Sequence, residues 1–148
     1  ARPGNRFWKS LAAADITNHV VDAASGLSQA DERMLAELGL GITNLVSRPT
    51  ARADELRTAE LRAGAQRLAQ RVDVIRPDVV AILGVTAFRT AFSVPRATLG
   101  RQTIDDLEDW PKTVQLWVLP NPSGLNAHEN VATHAAKWRT VWAVSKQA

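Results

Sequence analysis

The chain has 148 residues, of which 45% are hydrophobic and 22% charged, with a net charge of +3; that is enough apolar material for one domain with a real core. It contains no cysteine, which excludes disulfides, thiolate zinc sites and cysteine-ligated iron–sulfur clusters. No apolar run approaches the roughly 18–20 residues of a membrane span and no signal-peptide pattern is present, so a cytoplasmic protein is expected.

Residues 5–14 read as a first helix, with Phe7, Trp8 and Leu11 on one side. The Arg2-Pro3-Gly4 turn precedes it. Residues 28–38 form a second helix, with Ser28 as its cap, Asp31 and Glu32 in the first turn, and Gly39 as its stop. A short strand is expected over 42–46, followed by a polar loop over 48–55. Thr58 then caps the longest helix. Its apolar stripe is Leu61, Ala65, Leu68, Val72 and Ile75, with Arg62, Arg67, Arg71 and Arg76 off the stripe. Pro77 ends it, and Val79-Val80-Ala81-Ile82-Leu83 has the continuous apolar character of a strand buried on both faces. Gly84 turns the chain into a short helix over 85–92. Residues 93–111 have mixed charge and no period, and read as loop with room for a small strand.

Residues 114–119 form the next strand. It runs into Pro120-Asn121-Pro122-Ser123-Gly124-Leu125-Asn126. The two prolines fix φ and push Leu119 and Asn121 into extended backbone. Asn121 is thereby held at the carboxyl edge of a sheet, where open α/β folds bind ligands. Asn126 is expected to cap a last helix from Ala127, with Glu129 as its capping partner. Val131, Ala135, Trp138 and Trp142 make the inner face of that helix. Leu125, apolar and directly behind Gly124, suits a wedge between stacked bases; a buried loop leucine is the plainer alternative. Strands alternating with helices indicate one α/β domain over 1–148, a three-layer α/β/α sandwich with a short, mainly parallel central sheet.

Charge is uneven along the chain. Positions 48–101 hold ten arginines against five acids, while 103–111 hold four acids and no basic residue. Arginine forks suit phosphate, although a solvated helix face accounts for the same pattern. His128-Glu129-Asn130-Val131-Ala132 begins like a zinc-protease helix but has Ala132 where the second histidine ligand is needed. His19, His128 and His134 show no metal-ligand spacing and read as surface or capping residues. Ser123 lacks the glycines of a nucleophile elbow, and no phosphate-binding glycine loop with lysine exists. A reaction using neither metal nor cofactor is what remains.

Leu119-Pro120-Asn121-Pro122-Ser123-Gly124-Leu125 resembles the second active-site motif of the mismatch-specific uracil-DNA glycosylases, the bacterial relatives of thymine-DNA glycosylase. Three further blocks agree, in the family's order: Arg2-Pro3-Gly4-Asn5-Arg6-Phe7-Trp8-Lys9, Gly41-Ile42-Thr43-Asn44-Leu45-Val46-Ser47-Arg48-Pro49-Thr50 and Ala81-Ile82-Leu83-Gly84. The resemblance runs from Arg2 to about the final helix. It implies a cofactor-free, monomeric hydrolase that flips uracil out of mismatched double-stranded DNA, such as a G:U pair, and cuts its glycosidic bond. Asn121 would close on the sugar side of the pocket, and Gly124 and Leu125 would fill the hole left by the base. Ser123 and the amides of that loop through Asn126 would meet phosphate. Asn5 matches the opening block with no task assigned to it.

Family members begin with a strand ending in a Gly-Ile-Asn-Pro-Gly-like motif, whose Asn positions water, followed by an aromatic residue that stacks on the base. Neither is present, so an N-terminally truncated domain is expected, in which another residue handles the water. Asp54, in a loop after a strand and kept ionised by Arg52, is the candidate; a surface ion pair is the plainer reading of it. Two alternatives stay open: a DNA-binding remnant that has lost its chemistry, and a hydrolase-like enzyme acting on a small molecule that contains a nucleobase.

Overall fold

The computed structural model describes residues 5–46, 54–123 and 128–147, with the backbone only for 54–56. In chain order the elements are α1 (Phe7–Ala13), α2 (Gln29–Leu38), α3 (Asp54–Ile75), β1 (Val79–Leu83), α4 (Val85–Ala91), β2 (Gly100–Arg101), β3 (Gln115–Leu119) and α5 (Val131–Gln147). They sort into two compact units, one of Ala1–Thr43 with Asn121–Gln147, the other of Asn44–Pro120. No helix among the described residues is long and apolar enough to cross a membrane.

The continuous unit holds the sheet, in the order β1-β3-β2. β1 runs parallel to β3, with Val79 opposite Gln115 and Leu83 opposite Leu119. β2 is antiparallel to β3, pairing Gly100 with Val118 and Arg101 with Trp117. The fold is therefore α/β with a short mixed sheet whose longer pairing, β1 with β3, is parallel, and the small strand of the 93–111 segment supplies the third, antiparallel member. Residues 42–46 pair with no strand among the described residues. Gly41 and the polar pair Thr43-Asn44 interrupt the apolar run, Ile42 is 50% exposed, and the Leu45 carbonyl takes a long bond from the Arg67 guanidinium at 3.5 Å.

Ala69, Val72, Ile82, Phe88, Trp110, Val114, Leu116 and Val118 form one buried cluster, so α3, α4, β1 and β3 share a single apolar interior. α3 starts one turn earlier than Thr58, placing Asp54 at its first position, where a negative charge suits the positive helix end. Its inward residues are Leu61, Ala65, Ala69 and Val72. The stripe stops short of Ile75, which is 66% exposed, because the chain turns away at Arg76 with φ +53°. The acidic stretch before β3 is held by Lys112, whose Nζ donates to the carbonyls of Ile104, Asp105 and Leu107 at 2.8, 3.0 and 3.4 Å.

In the discontinuous unit α1 packs on α5. Phe7 meets the Trp138 ring edge-on at 6.0 Å, Leu11 is fully buried, and the Arg139 guanidinium donates to the Ala13 carbonyl. The inner face of α5 is His134, Ala135, Trp138 and Val141. It is thus rotated toward His134, which is buried rather than at the surface, and away from Trp142, whose ring lies under the Lys146 ammonium at 4.4 Å. α2 is bounded as its sequence dictates: Ser28 Oγ accepts from Asp31 N at 3.1 Å, and Gly39 closes the helix in the left-handed conformation that glycine adopts without strain.

Candidate active site

The two parallel strands reach the same level, Leu83 beside Leu119, and the Gly84 amide adds one more bond to the Leu119 carbonyl at 2.8 Å. Gly84 then turns into α4 with φ +107°, a conformation closed to side-chain-bearing residues without strain. The carboxyl ends of adjacent parallel strands are the usual ligand edge of an open α/β sheet. From β3 the chain passes through Pro120 into the candidate loop.

That loop is ordered by three separate devices. Pro120 and Pro122 restrict the backbone and are both buried, while Asn121 between them is exposed. The Asn121 Oδ1 accepts from Ser123 N at 2.9 Å, an Asx turn that sets the path of the loop. The third device comes from the opening block. Arg6 N donates to the Pro122 carbonyl at 2.7 Å, and the Arg6 guanidinium donates to the Ser123 carbonyl at 3.1 Å.

Helix ends explain why Arg6 is available for this. The first amides of a helix have no partner within it. At α1 the Phe7 amide is taken by Asn5 Oδ1 at 2.9 Å, and the Arg6 amide goes to Pro122. Asn5 thus has a defined local task, which is to cap α1 beside the residue that holds the loop. Composition and periodicity gave no hint of Arg6. Its signals were its place in the opening Arg2–Lys9 block and beside Asn5 at the start of a helix.

Beyond the loop, α5 begins at Val131, not at Ala127. Asn130 Oδ1 accepts from Thr133 N and Thr133 Oγ1 accepts from Asn130 N, both at 2.9 Å, a reciprocal cap. The preceding Glu129 receives Lys137 Nζ at 3.0 and 3.1 Å. Burial raises the pKa of its carboxyl, but hydrogen bonds from Lys137 and Thr133 and the charges of Lys137 and His134 outweigh that, leaving it below the ordinary glutamate value.

Asn5, Asn121 and Ser123 are therefore brought together in one unit through Arg6. Gly124, Leu125 and Asn126 lie outside the described residues, and so do Arg48 to Ala53. Asp54 is the first residue of α3 in the other unit, with its side chain outside the description. An open hollow of about 390 Å³ on α3, lined by Gln66, Ala69, Gln70, Asp73, Glu108 and Trp110 among others, includes none of the candidate residues.

The family model described as the uracil DNA glycosylase superfamily matches residues 1–144. The chain belongs to that superfamily. Members of the uracil-DNA glycosylase superfamily are DNA glycosylases, hydrolases that act in base-excision repair. A DNA glycosylase must take its base out of the stack before it can reach the glycosidic bond. It then has to stabilise negative charge growing on the base and positive charge growing on the sugar.

Proposed function

We propose that this superfamily member excises uracil, and related damaged pyrimidines, from mismatched double-stranded DNA, acting as a monomer in the cytoplasm without a metal or cofactor. The observation that carries the reading is the restrained Asn121-Pro122-Ser123 loop, standing within the block that resembles the mismatch-specific branch. In this reading Asn121 faces the sugar side of the flipped nucleotide. Ser123 and the following amides through Asn126 meet phosphate, and Leu125 behind Gly124 occupies the space the base has left. The C1′–N1 bond breaks as a water oxygen bonds to C1′. A carboxylate takes the water's proton, and the uracil leaves as an anion that is later protonated. Asp54 is the carboxylate proposed for that step.

Free uracil released from a G:U duplex, from an A:U duplex and from single-stranded DNA, measured at single turnover, tests this. The expected result is release that is fastest from the mismatch and needs no added metal. Leu125→Ala should lower the rate on duplex while leaving the single-stranded rate near wild type. Binding of the G:U duplex without any release of base would replace the enzyme by a DNA-binding remnant. Equal, unimpaired rates of Leu125→Ala on both substrates would remove the wedge.

A further inference from the structure

We infer that Arg6 is a positioning residue for the candidate site: its guanidinium straps the Asn121–Ser123 loop to the start of α1 and so sets where the loop groups stand. The inference rests on the reading of that loop as the DNA-handling one. Two successive carbonyls of the loop, those of Pro122 and Ser123, point to one residue, the first taken by the Arg6 amide at 2.7 Å and the second by its guanidinium at 3.1 Å. These residues lie 117 positions apart, so no local turn preference produces the contact. The two bonds are not equivalent. The amide bond survives any non-proline replacement of Arg6, whereas the guanidinium bond is charge-assisted and depends on the side chain.

What anchors the strap is the rest of its unit. Asn5 orders the first turn of α1, Phe7 and the buried Leu11 lie on that helix as it packs on α5, and α5 is itself closed at its start by the Asn130–Thr133 cap. The loop is therefore gripped from the start of a helix that is itself packed on α5. The Asx turn from Asn121 to Ser123 N orders the same peptide from the other direction. Removing the guanidinium would release the Ser123 carbonyl from Arg6, while the turn from Asn121 to the Ser123 amide stays. Small displacements at a reacting centre are expensive, about 10²-fold for 1 Å.

Arg6→Met tests the strap, because it keeps the apolar stem and removes the donors. Hydrogen exchange of the Ser123 amide reads it without reference to activity. Loss of one charge-assisted bond should raise that exchange about tenfold or more, with the amides of α5 unchanged. Single-turnover release of uracil from the G:U duplex should fall about 10²-fold, and millimolar guanidinium should restore part of the loss in the variant while giving none to wild type. Unchanged exchange at Ser123 would overturn the strap, and so would equal loosening of α5, which would make Arg6 a general structural residue. Loosened exchange with a wild-type rate would overturn its positioning role. If wild type releases no base from any duplex, the proposed reaction fails, and the exchange measurement still decides whether Arg6 holds the loop.

Discussion

Gly64, midway along α3, lies directly against the carbonyl group of Leu45. A Cβ built at position 64 would overlap that oxygen and stand 2.8 Å from the carbonyl carbon. The obstacle is backbone, so it cannot swing aside as a flexible side chain would. Leu45 and Val46 also pack on the cluster of Leu61, Ala65 and Ala91, which holds the 44–46 segment in place. In an unobstructed helix interior, Gly→Ala is worth about 0.5–1 kcal/mol of stability. Here Gly64→Ala should instead cost about 1–3 kcal/mol, the range for overpacked sites. A lowered urea midpoint with an unchanged slope is the expected result.

The reciprocal cap at the start of α5 makes a second stability prediction. Asn130→Ala removes the acceptor for the Thr133 amide, and Thr133→Ala removes the acceptor for the Asn130 amide. Each should cost about 0.5–2 kcal/mol. The pair share one motif, so the double variant should cost less than the sum of the two, measured by denaturation of all four proteins.

Glu129 has a lowered pKa, and the sign of its pH effect follows from that direction. A depressed carboxyl contributes stability above its unfolded-state pKa, and that contribution is lost as pH falls through the lowered folded-state value. Wild type should therefore be more stable than Glu129→Gln at neutral pH. The gap should close only in acid, below the ordinary glutamate range. Parallel denaturation curves over that range check it; a gap that stayed constant with pH would detach the effect from titration.

Asp54→Asn should lower single-turnover uracil release by at least roughly 10²-fold with little change in DNA affinity, the size expected when a general base is removed. Asn at the first position of α3 keeps the local shape but gives up the charge at the helix end, so stability should fall by only about 0.3–1 kcal/mol. A drop of about twofold would assign the water to another residue.

Much of this fold was legible because its signals are local. The Ser28 cap, the acids of the first α2 turn and Gly39 bound one helix without outside help. Five consecutive apolar residues marked β1, and Pro77 marked the end of the helix before it. Where the deciding partner is distant, the pattern misled. Residues 42–46 are apolar enough for a strand, yet Gly64 of α3 and Arg67 engage Leu45 instead. His134 falls on the buried face of α5 because that face is chosen by contact with α1. The last helix was expected from Ala127, yet it starts at Val131, where the reciprocal bonds of Asn130 and Thr133 close its first turn. At the site, Asn121 and its prolines stood out in the chain, while Arg6 needed the folded neighbourhood to acquire a task.

The discontinuous make-up of the first unit also sets an order of events during synthesis. Residues 44–120 are one uninterrupted stretch, and among the described residues their sheet and apolar cluster are drawn from within it. α1, by contrast, precedes that stretch and meets α5 only after the stretch has been made. Closing so long a span is not much costlier in entropy than closing a short one, since the penalty grows only with the logarithm of length. The burden is kinetic: Phe7, Trp8 and Leu11 remain uncovered through translation, a period in which exposed apolar surface invites chaperones or aggregation. The grip of Arg6 on Ser123 is accordingly among the last contacts to form, so Asn5 and Arg6 wait through the synthesis of residues 44–120 for the loop they hold.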